Sequence, residues 1–220
     1  MGCSNSRSLD LQLLEAQETL GFAELDPHQI DLTLRKYSFE GWINQKQFTE
    51  IVYSLGLEVT NIEEGPQAEK MYHSIRDIRG INMKVLMTIA MQTSTASFKT
   101  RAKLVYELYD DTFEKRLPVK ALELLVNNCV FVALSVLPVL YGHECINEIP
   151  QEALKAKYFM LLDENSCISK RKFLKHKLTR VLLEPAALRL MMRQEKANLV
   201  KLTDLAKEKF KSFKKEGMSN

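Results

Sequence analysis

The chain has 220 residues, 45% of them hydrophobic and 27% charged, and its formal net charge at pH 7 is +3. This composition is typical of a folded globular protein and excludes a wholly disordered chain. The four cysteines are scattered and form no C-x-x-C pair, and the first residues lack the apolar core of a secretory signal. We therefore expect a reducing, cytoplasmic environment.

The chain opens with MGCSNS, in which Gly2 follows Met1 and Ser6 lies four residues after the glycine. This spacing is the pattern of an N-myristoylation site, and the neighbouring Cys3 is a candidate for S-acylation with palmitate. The alternative interpretation is a chance match, because short motifs often occur without function. The motif predicts lipidation at Gly2 and Cys3 and a peripheral position on the cytosolic leaflet of a membrane.

Four segments of the chain share one spacing of apolar residues. In three of them Ile is the sixth residue and Phe or Leu the eleventh: SFEGWINQKQF (38–48), RDIRGINMKVL (76–86) and DENSCISKRKF (163–173). A fourth segment, DDTFEKRLPVKA (110–121), has Leu at the corresponding place. The four marker residues are Ile43, Ile81, Leu117 and Ile168. Apolar residues spaced by three and four flank these segments, so each unit predicts a helix, a short loop and a second helix.

This repeat resembles the EF-hand superfamily, of the calmodulin, calcineurin B and neuronal calcium sensor kind, over roughly residues 26 to 182. The resemblance implies an all-α fold of two lobes, in which paired helix-loop-helix units join their loops through short β-bridges. Ile43 would pair with Ile81, and Leu117 with Ile168. The implied organisation is a lead-in segment, two lobes and a basic amphipathic C-terminal helix, at residues 1–25, 26–97, 98–183 and 184–220.

Three of the four loops are too short to bind calcium in the usual way. A working EF-hand loop has twelve residues, with Gly at position 6 and a bidentate Glu at position 12. The first, second and fourth loops have only ten residues, and their closing residues are Gln47, Val85 and Lys172. The bidentate carboxylate is therefore missing from all three loops.

The third loop keeps twelve residues and offers Asp110, Thr112 and Glu114 as weak candidate metal ligands. Lys115 replaces the glycine, however, and Ala121 replaces the closing glutamate. The lost glutamate removes two of the six to eight oxygens that Ca²⁺ needs, and Lys115 adds repulsion. We expect no cofactor and no calcium at physiological concentrations, with residual calcium binding at this loop as the alternative.

The longest apolar run, CVFVALSVLPVLY at 129–141, has 13 residues and contains Pro138. A helix needs about 20 apolar residues to cross a bilayer, so the run is too short for that and predicts a buried core helix.

Two further features suggest binding surfaces. Met83, Met87 and Met91 recur every four residues, as in grooves that bind partner helices, although they would equally fill a core. Basic residues at 170–180 and near the C-terminus predict contacts with anionic lipid or acidic partners, and a solvated helix face is the alternative. The predicted contact residues are Lys170, Arg171, Lys172, Lys209, Lys211, Lys214 and Lys215.

The sequence carries no recognisable catalytic constellation. The four histidines lack metal-ligand spacing, and no G-x-S-x-G, P-loop or G-x-G-x-x-G motif occurs. We predict a non-enzymatic, membrane-anchored adaptor that binds a helix of a partner protein, largely without calcium, and that does not bind nucleic acid. The alternatives are a calcium sensor that uses the third loop and a cytoskeletal or ciliary scaffold.

Overall fold

A computed structural model describes residues 21–57, 72–140 and 151–195, without the side chains of residues 140 and 151–154. The described residues are mostly helical, which confirms the α-helical character of the prediction. The helices are α1 (Pro27–Tyr37), α2 (Gln45–Leu55), α3 (described over 72–75), α4 (Met83–Thr93), α5 (Phe98–Tyr109), α6 (Val119–Phe131), a π-helical turn (Val132–Val136), α7 (Leu137–Leu140), α8 (Gln151–Phe159), α9 (Lys170–Lys175), α10 (Lys177–Leu182) and α11 (described over 185–195). The short strands are β1 (Trp42–Ile43), β2 (Ile81–Asn82), β3 (Arg116–Pro118) and β4 (Cys167–Ser169).

Side chains at the helix ends explain why α1 and α2 begin where they do. The Asp26 carboxylate accepts a hydrogen bond from the His28 amide at 3.1 Å, and Pro27 takes the first position of α1. At α2, Asn44 and Gln47 form a reciprocal capping box with distances of 2.8 and 2.9 Å. Gln47, which closes the first loop, therefore caps a helix with its side chain.

The strands join the loops in the two pairs that the EF-hand resemblance implies. β1 and β2 are antiparallel, with Ile43 opposite Ile81, and β3 and β4 are antiparallel, with Leu117 opposite Ile168. All four side chains are fully buried. The contact between the first pair is close at Gly80, where a Cβ atom would lie 2.4 Å from the Ile43 carbonyl oxygen. Glycine is therefore the residue that fits at position 80.

The buried side chains of both halves of the chain form one continuous hydrophobic cluster. Helix α4, which precedes the expected boundary at residue 97, packs against α5 and α6 as well as against α1. Polar contacts also cross this boundary, because the Gln92 amide nitrogen donates to the carbonyl oxygens of Cys129 and Leu182 at 3.2 and 2.8 Å. The division into two lobes stays a prediction.

The apolar run is part of a longer helix than its 13 residues suggest. α6, the π turn and α7 follow one another without a break, and the 21-residue segment Val119–Val139 contains an 18-residue window with a mean hydropathy of 1.9. By length and composition this helix is able to cross a membrane, so the length argument was wrong. The π turn widens the helix just before Pro138, where the ring would otherwise clash with the preceding turn. About 61% of this window is buried inside the fold, as in the core helix of a soluble protein.

Candidate functional site

The two ten-residue loops of the first pair close on themselves. Phe39 and Trp42 exchange backbone hydrogen bonds at 2.8 and 2.9 Å, and Asp77 and Gly80 do so at 2.9 and 3.2 Å. Between Phe39 and Trp42, Glu40 and Gly41 both have positive φ, as in the tight turns of hairpins. The backbone of each loop therefore turns back within four residues, which is the path that the shortened loops predict.

The fourth loop closes around a carboxylate. Asp163 Oδ1 accepts hydrogen bonds from the amides of Asn165 and Cys167 at 2.9 and 3.1 Å, and Oδ2 pairs with Arg116. The hydrogen bond from Cys167 holds the pKa of Asp163 below its ordinary value. This carboxylate thus orders its own loop and ties it to β3.

The third loop brings together two of its three candidate ligands. Asp110 is buried, and its Oδ1 accepts a hydrogen bond from the Thr112 hydroxyl at 3.1 Å, while Oδ2 accepts one from the Lys115 amide at 2.9 Å. Lys115 has a φ of 58°, the left-handed conformation that glycine favours. Glu114 is exposed at the loop surface. Among the described residues, no group of three or more His, Cys, Asp or Glu side chains is arranged to hold a metal ion.

The methionine stripe is not an open groove. Met83, Met87 and Met91 are 9%, 1% and 0% exposed, so the groove interpretation needs correction. The physical reason is that α1, α5, α6 and the π turn all pack against α4, and the Ser38 hydroxyl at the end of α1 donates to the Met83 sulfur at 3.1 Å. The three side chains fill the core, which was the alternative interpretation of the same spacing.

Helices α9 and α10 run antiparallel to α5 and lie against it. Near one end, the Lys170 ammonium group lies 2.6 Å from the Glu107 carboxylate, and the Tyr106 hydroxyl donates to the Ile168 carbonyl oxygen at 3.0 Å. At the other end, the Arg180 guanidinium lies 5.2 Å from the centre of the Phe98 ring. These contacts fix which residues of the two segments are neighbours.

This packing concentrates positive charge. The segments 98–109 and 170–182 together contain nine Lys or Arg and one acid, Glu107. Seven of these basic residues are exposed, and we call them the basic surface: Lys99, Lys103, Arg171, Lys172, Lys175, Lys177 and Arg180. Two acids lie at its edges, Glu184 near Arg180 and Asp163 near the start of α9. With a net charge of only +3 for the whole chain, the basic surface is a local excess.

The residues that were predicted to contact anionic lipid or acidic partners differ in how exposed they are in the structure. Arg171 and Lys172 are exposed on the basic surface, whereas Lys170 is partly covered and pairs with Glu107. Lys99 and Lys103 were missed because they are about seventy positions earlier in the chain. Their spacing of four, with no acid between them, was the available signal. The remaining predicted site residues, Gly2, Cys3, Lys209, Lys211, Lys214 and Lys215, lie outside the described residues.

Searches of protein-family models, of curated proteins and of solved structures found no match to this chain.

Proposed function

We propose that this protein is a non-enzymatic adaptor built from four degenerate EF-hand-like units, held at a membrane by an acylated N-terminus and by the basic surface. The observation that carries the membrane part is the concentration of seven exposed Lys and Arg on α5, α9 and α10. Anionic lipid attracts a Lys or Arg near its surface by about 1 kcal/mol. A single myristoyl chain binds with only about 10⁴ M⁻¹, so the acyl chain needs such a second signal.

The EF-hand part of the proposal is supported by the loops. Each pair is joined by two or three residues of antiparallel strand, with the marker residues opposite each other. Loops that close on themselves, as at Phe39–Trp42, would hold the helices at a fixed angle without a metal ion. This favours binding that does not depend on calcium.

The adaptor role needs a surface for the partner helix. The methionine stripe does not supply this surface, because its three side chains are buried in the core. The proposed partner site therefore lies on another face of the chain.

Vesicle co-sedimentation tests the membrane part. We expect the variant with Lys99, Lys103, Lys175 and Lys177 changed to Gln to bind anionic vesicles at least tenfold more weakly than the native chain. The matched control changes Lys36, Lys46, Arg76 and Lys120, which are exposed and lie outside the segments 98–109 and 170–182, and removes the same four charges. Equal losses in both variants would show that net charge matters and the basic surface does not.

Two observations keep the calcium sensor as a second candidate. Asp110 and Thr112 are already in contact, and Lys115 has the backbone conformation of the usual glycine. Calorimetry with Ca²⁺ decides between the two, and we expect no binding in the micromolar range. For the cytoskeletal or ciliary scaffold, fractionation of native and Gly2→Ala protein is the test, because a scaffold would fractionate identically in both forms.

A further inference from the structure

Three of the four loops carry a bulky apolar side chain at the tip, where it is open to solvent. Phe39 in the first loop and Phe113 in the third are 71% and 85% exposed, and Ile78 in the second is fully exposed. We call these three residues the apolar tips. Residues 164–166, at the tip of the fourth loop, are polar and exposed. Turns ordinarily take Gly, Asn, Asp or Ser, so neither turn chemistry nor burial explains the apolar tips.

Phe113 is held outward at a cost in backbone strain. Its φ is 59°, in the left-handed region that bulky residues rarely adopt. Asp110 fixes the turn, because its carbonyl oxygen accepts from the Phe113 amide at 3.3 Å and its buried carboxylate accepts from the Lys115 amide at 2.9 Å. An exposed phenylalanine in a strained conformation does not stabilise the fold, and such strain is typical of functional positions.

The first three loops meet at the first turn of α4. The Met83 amide donates to the Gly41 carbonyl oxygen at 2.9 Å, which joins the first loop to α4, and the second loop leads directly into this helix. The Lys84 ammonium group pairs with Asp111 of the third loop at 3.0 Å. The apolar tips therefore lie at one end of the molecule. We call this the loop end, and it comprises the segments 38–43, 76–84 and 110–117.

The loop end combines apolar side chains with balanced charge. It contains five Lys or Arg and five Asp or Glu. Beside the tips, Phe39 exchanges backbone hydrogen bonds with Trp42, and the guanidinium carbon of Arg79 lies 3.9 Å from the centre of the Trp42 ring. Exposed Phe and Trp next to Arg form the combination that anchors proteins in the interfacial region of a bilayer.

The loop end is continuous with the basic surface. The Lys170 amide donates to the Lys115 carbonyl oxygen at 3.2 Å, so the third loop adjoins the start of α9, where Arg171 and Lys172 are exposed. A bilayer in contact with the start of α9 is therefore also close to Phe113.

We propose that the apolar tips insert into the interfacial region of the bilayer to which the basic surface binds. This inference rests on the membrane association proposed above and adds a hydrophobic contact to it. The basic surface attracts anionic head groups, whereas the tips remove apolar area from water once the protein has reached the membrane. Salt screens the first contribution and leaves the second unchanged.

Trp42 is the only tryptophan of the chain, so its fluorescence reports on the loop end alone. The full-length, acylated chain is bound to anionic vesicles whose acyl chains carry bromine near the head groups, with unbrominated vesicles as the control. We expect the bound protein to lose most of its tryptophan emission in the brominated vesicles only. A protein that co-sediments with these vesicles but keeps its full emission would overturn the insertion and leave the membrane role intact. A native chain that binds no vesicles would overturn both.

Serine at the apolar tips tests how much they contribute to affinity. The tip variant combines Phe39→Ser, Ile78→Ser and Phe113→Ser. We expect it to bind vesicles at least tenfold more weakly than the native chain, by the same factor for anionic and neutral lipid and at low and high salt. The matched control changes three exposed residues on α1, α2 and α11, and it should bind like the native chain: Leu32→Ser, Tyr53→Ser and Leu190→Ser.

Three results of this comparison would overturn the proposal: native affinity in the tip variant, equal losses in both variants, or a loss that disappears at high salt. The basic-surface variant, by contrast, should lose its affinity for anionic vesicles only, so the two contributions are measured separately. The quenching measurement uses the native chain and therefore does not depend on whether a variant folds.

Discussion

Gly80 offers a direct test of the paired loops. Its φ is 118°, a backbone conformation that residues with a Cβ rarely adopt, and the Cβ of an alanine would lie 2.4 Å from the Ile43 carbonyl oxygen and 3.0 Å from the carbonyl carbon. The backbone strain costs on the order of 1–3 kcal/mol. Forcing the two strands apart costs roughly another 1–3 kcal/mol, as overpacking does in cores. We therefore expect Gly80→Ala to lower the free energy of unfolding by about 2–6 kcal/mol.

Gly41 is the matched control, because it belongs to the other hairpin of the same pair. Its φ is 79°, and a Cβ at this position would have no neighbour within 4 Å. Gly41→Ala should cost only the left-handed conformation, roughly 1–2 kcal/mol, partly offset by the lower entropy of the unfolded chain.

Thermal unfolding followed by circular dichroism measures both variants. For a chain of this size a loss of 1 kcal/mol lowers Tm by roughly 2–4 °C, so the two variants should be clearly separated. If Gly80→Ala is no more destabilising than Gly41→Ala, the close contact between the second loop and Ile43 is wrong, and with it the pairing of the first two loops.

Three other changes test the core, the buried tyrosines and the C-terminal lysines. Ile168→Ala should lower the free energy of unfolding by roughly 2–5 kcal/mol because the side chain is fully buried, whereas Ile78→Ala, at a fully exposed isoleucine, should leave urea unfolding almost unchanged. Burial raises the pKa of Tyr109 and of Tyr158 above the ordinary value of about 10, so the unfolded state loses these protons first as the pH rises. Their contribution to stability is complete below about pH 10 and is lost above it, so Tm should fall between neutral pH and pH 11, and a constant Tm over that range would contradict the burial. Changing Lys209, Lys211, Lys214 and Lys215 to Gln should reduce the preference of the acylated protein for anionic over neutral vesicles at low salt, in addition to the part that the basic surface supplies. A preference that survives intact would assign the attraction to the basic surface alone.

The loop pairs followed from the EF-hand resemblance, which implies that neighbouring units pair in twos. The spacing alone showed four similar units with a marker residue in each loop, such as Ile43 and Ile81, and these two residues lie opposite each other. The shorter path of the ten-residue loops could also be predicted, because a loop with two fewer residues must take a shorter path. Loop length is a local feature, so one sequence is enough to determine it.

The sequence did not predict which other helices pack against each helix. The period of Met83, Met87 and Met91 shows that one face of α4 is apolar, but it does not show whether a partner or the rest of the chain covers that face. Here α1, α5 and α6 pack against α4, and the methionine side chains are buried. The loop end was missed for a related reason, because it combines residues about seventy positions apart, as Phe39 and Phe113 are.

The position of the first described residues affects how the acyl chain and the basic surface would act together at a membrane. The Ala23 carbonyl oxygen accepts hydrogen bonds from the Thr95 amide at 3.1 Å and from its hydroxyl at 2.6 Å, and Thr95 lies three residues before α5 begins. The chain at Ala23 therefore lies beside the start of α5, the end of the basic surface that holds Lys99. An acyl chain on Gly2 would bring α5 and α10 toward the bilayer that it enters only if residues 2–20 kept it on this side of the molecule. Charges and lipid on one side of the molecule add their free energies of binding, whereas charges on the opposite side would contribute nothing once the lipid is inserted.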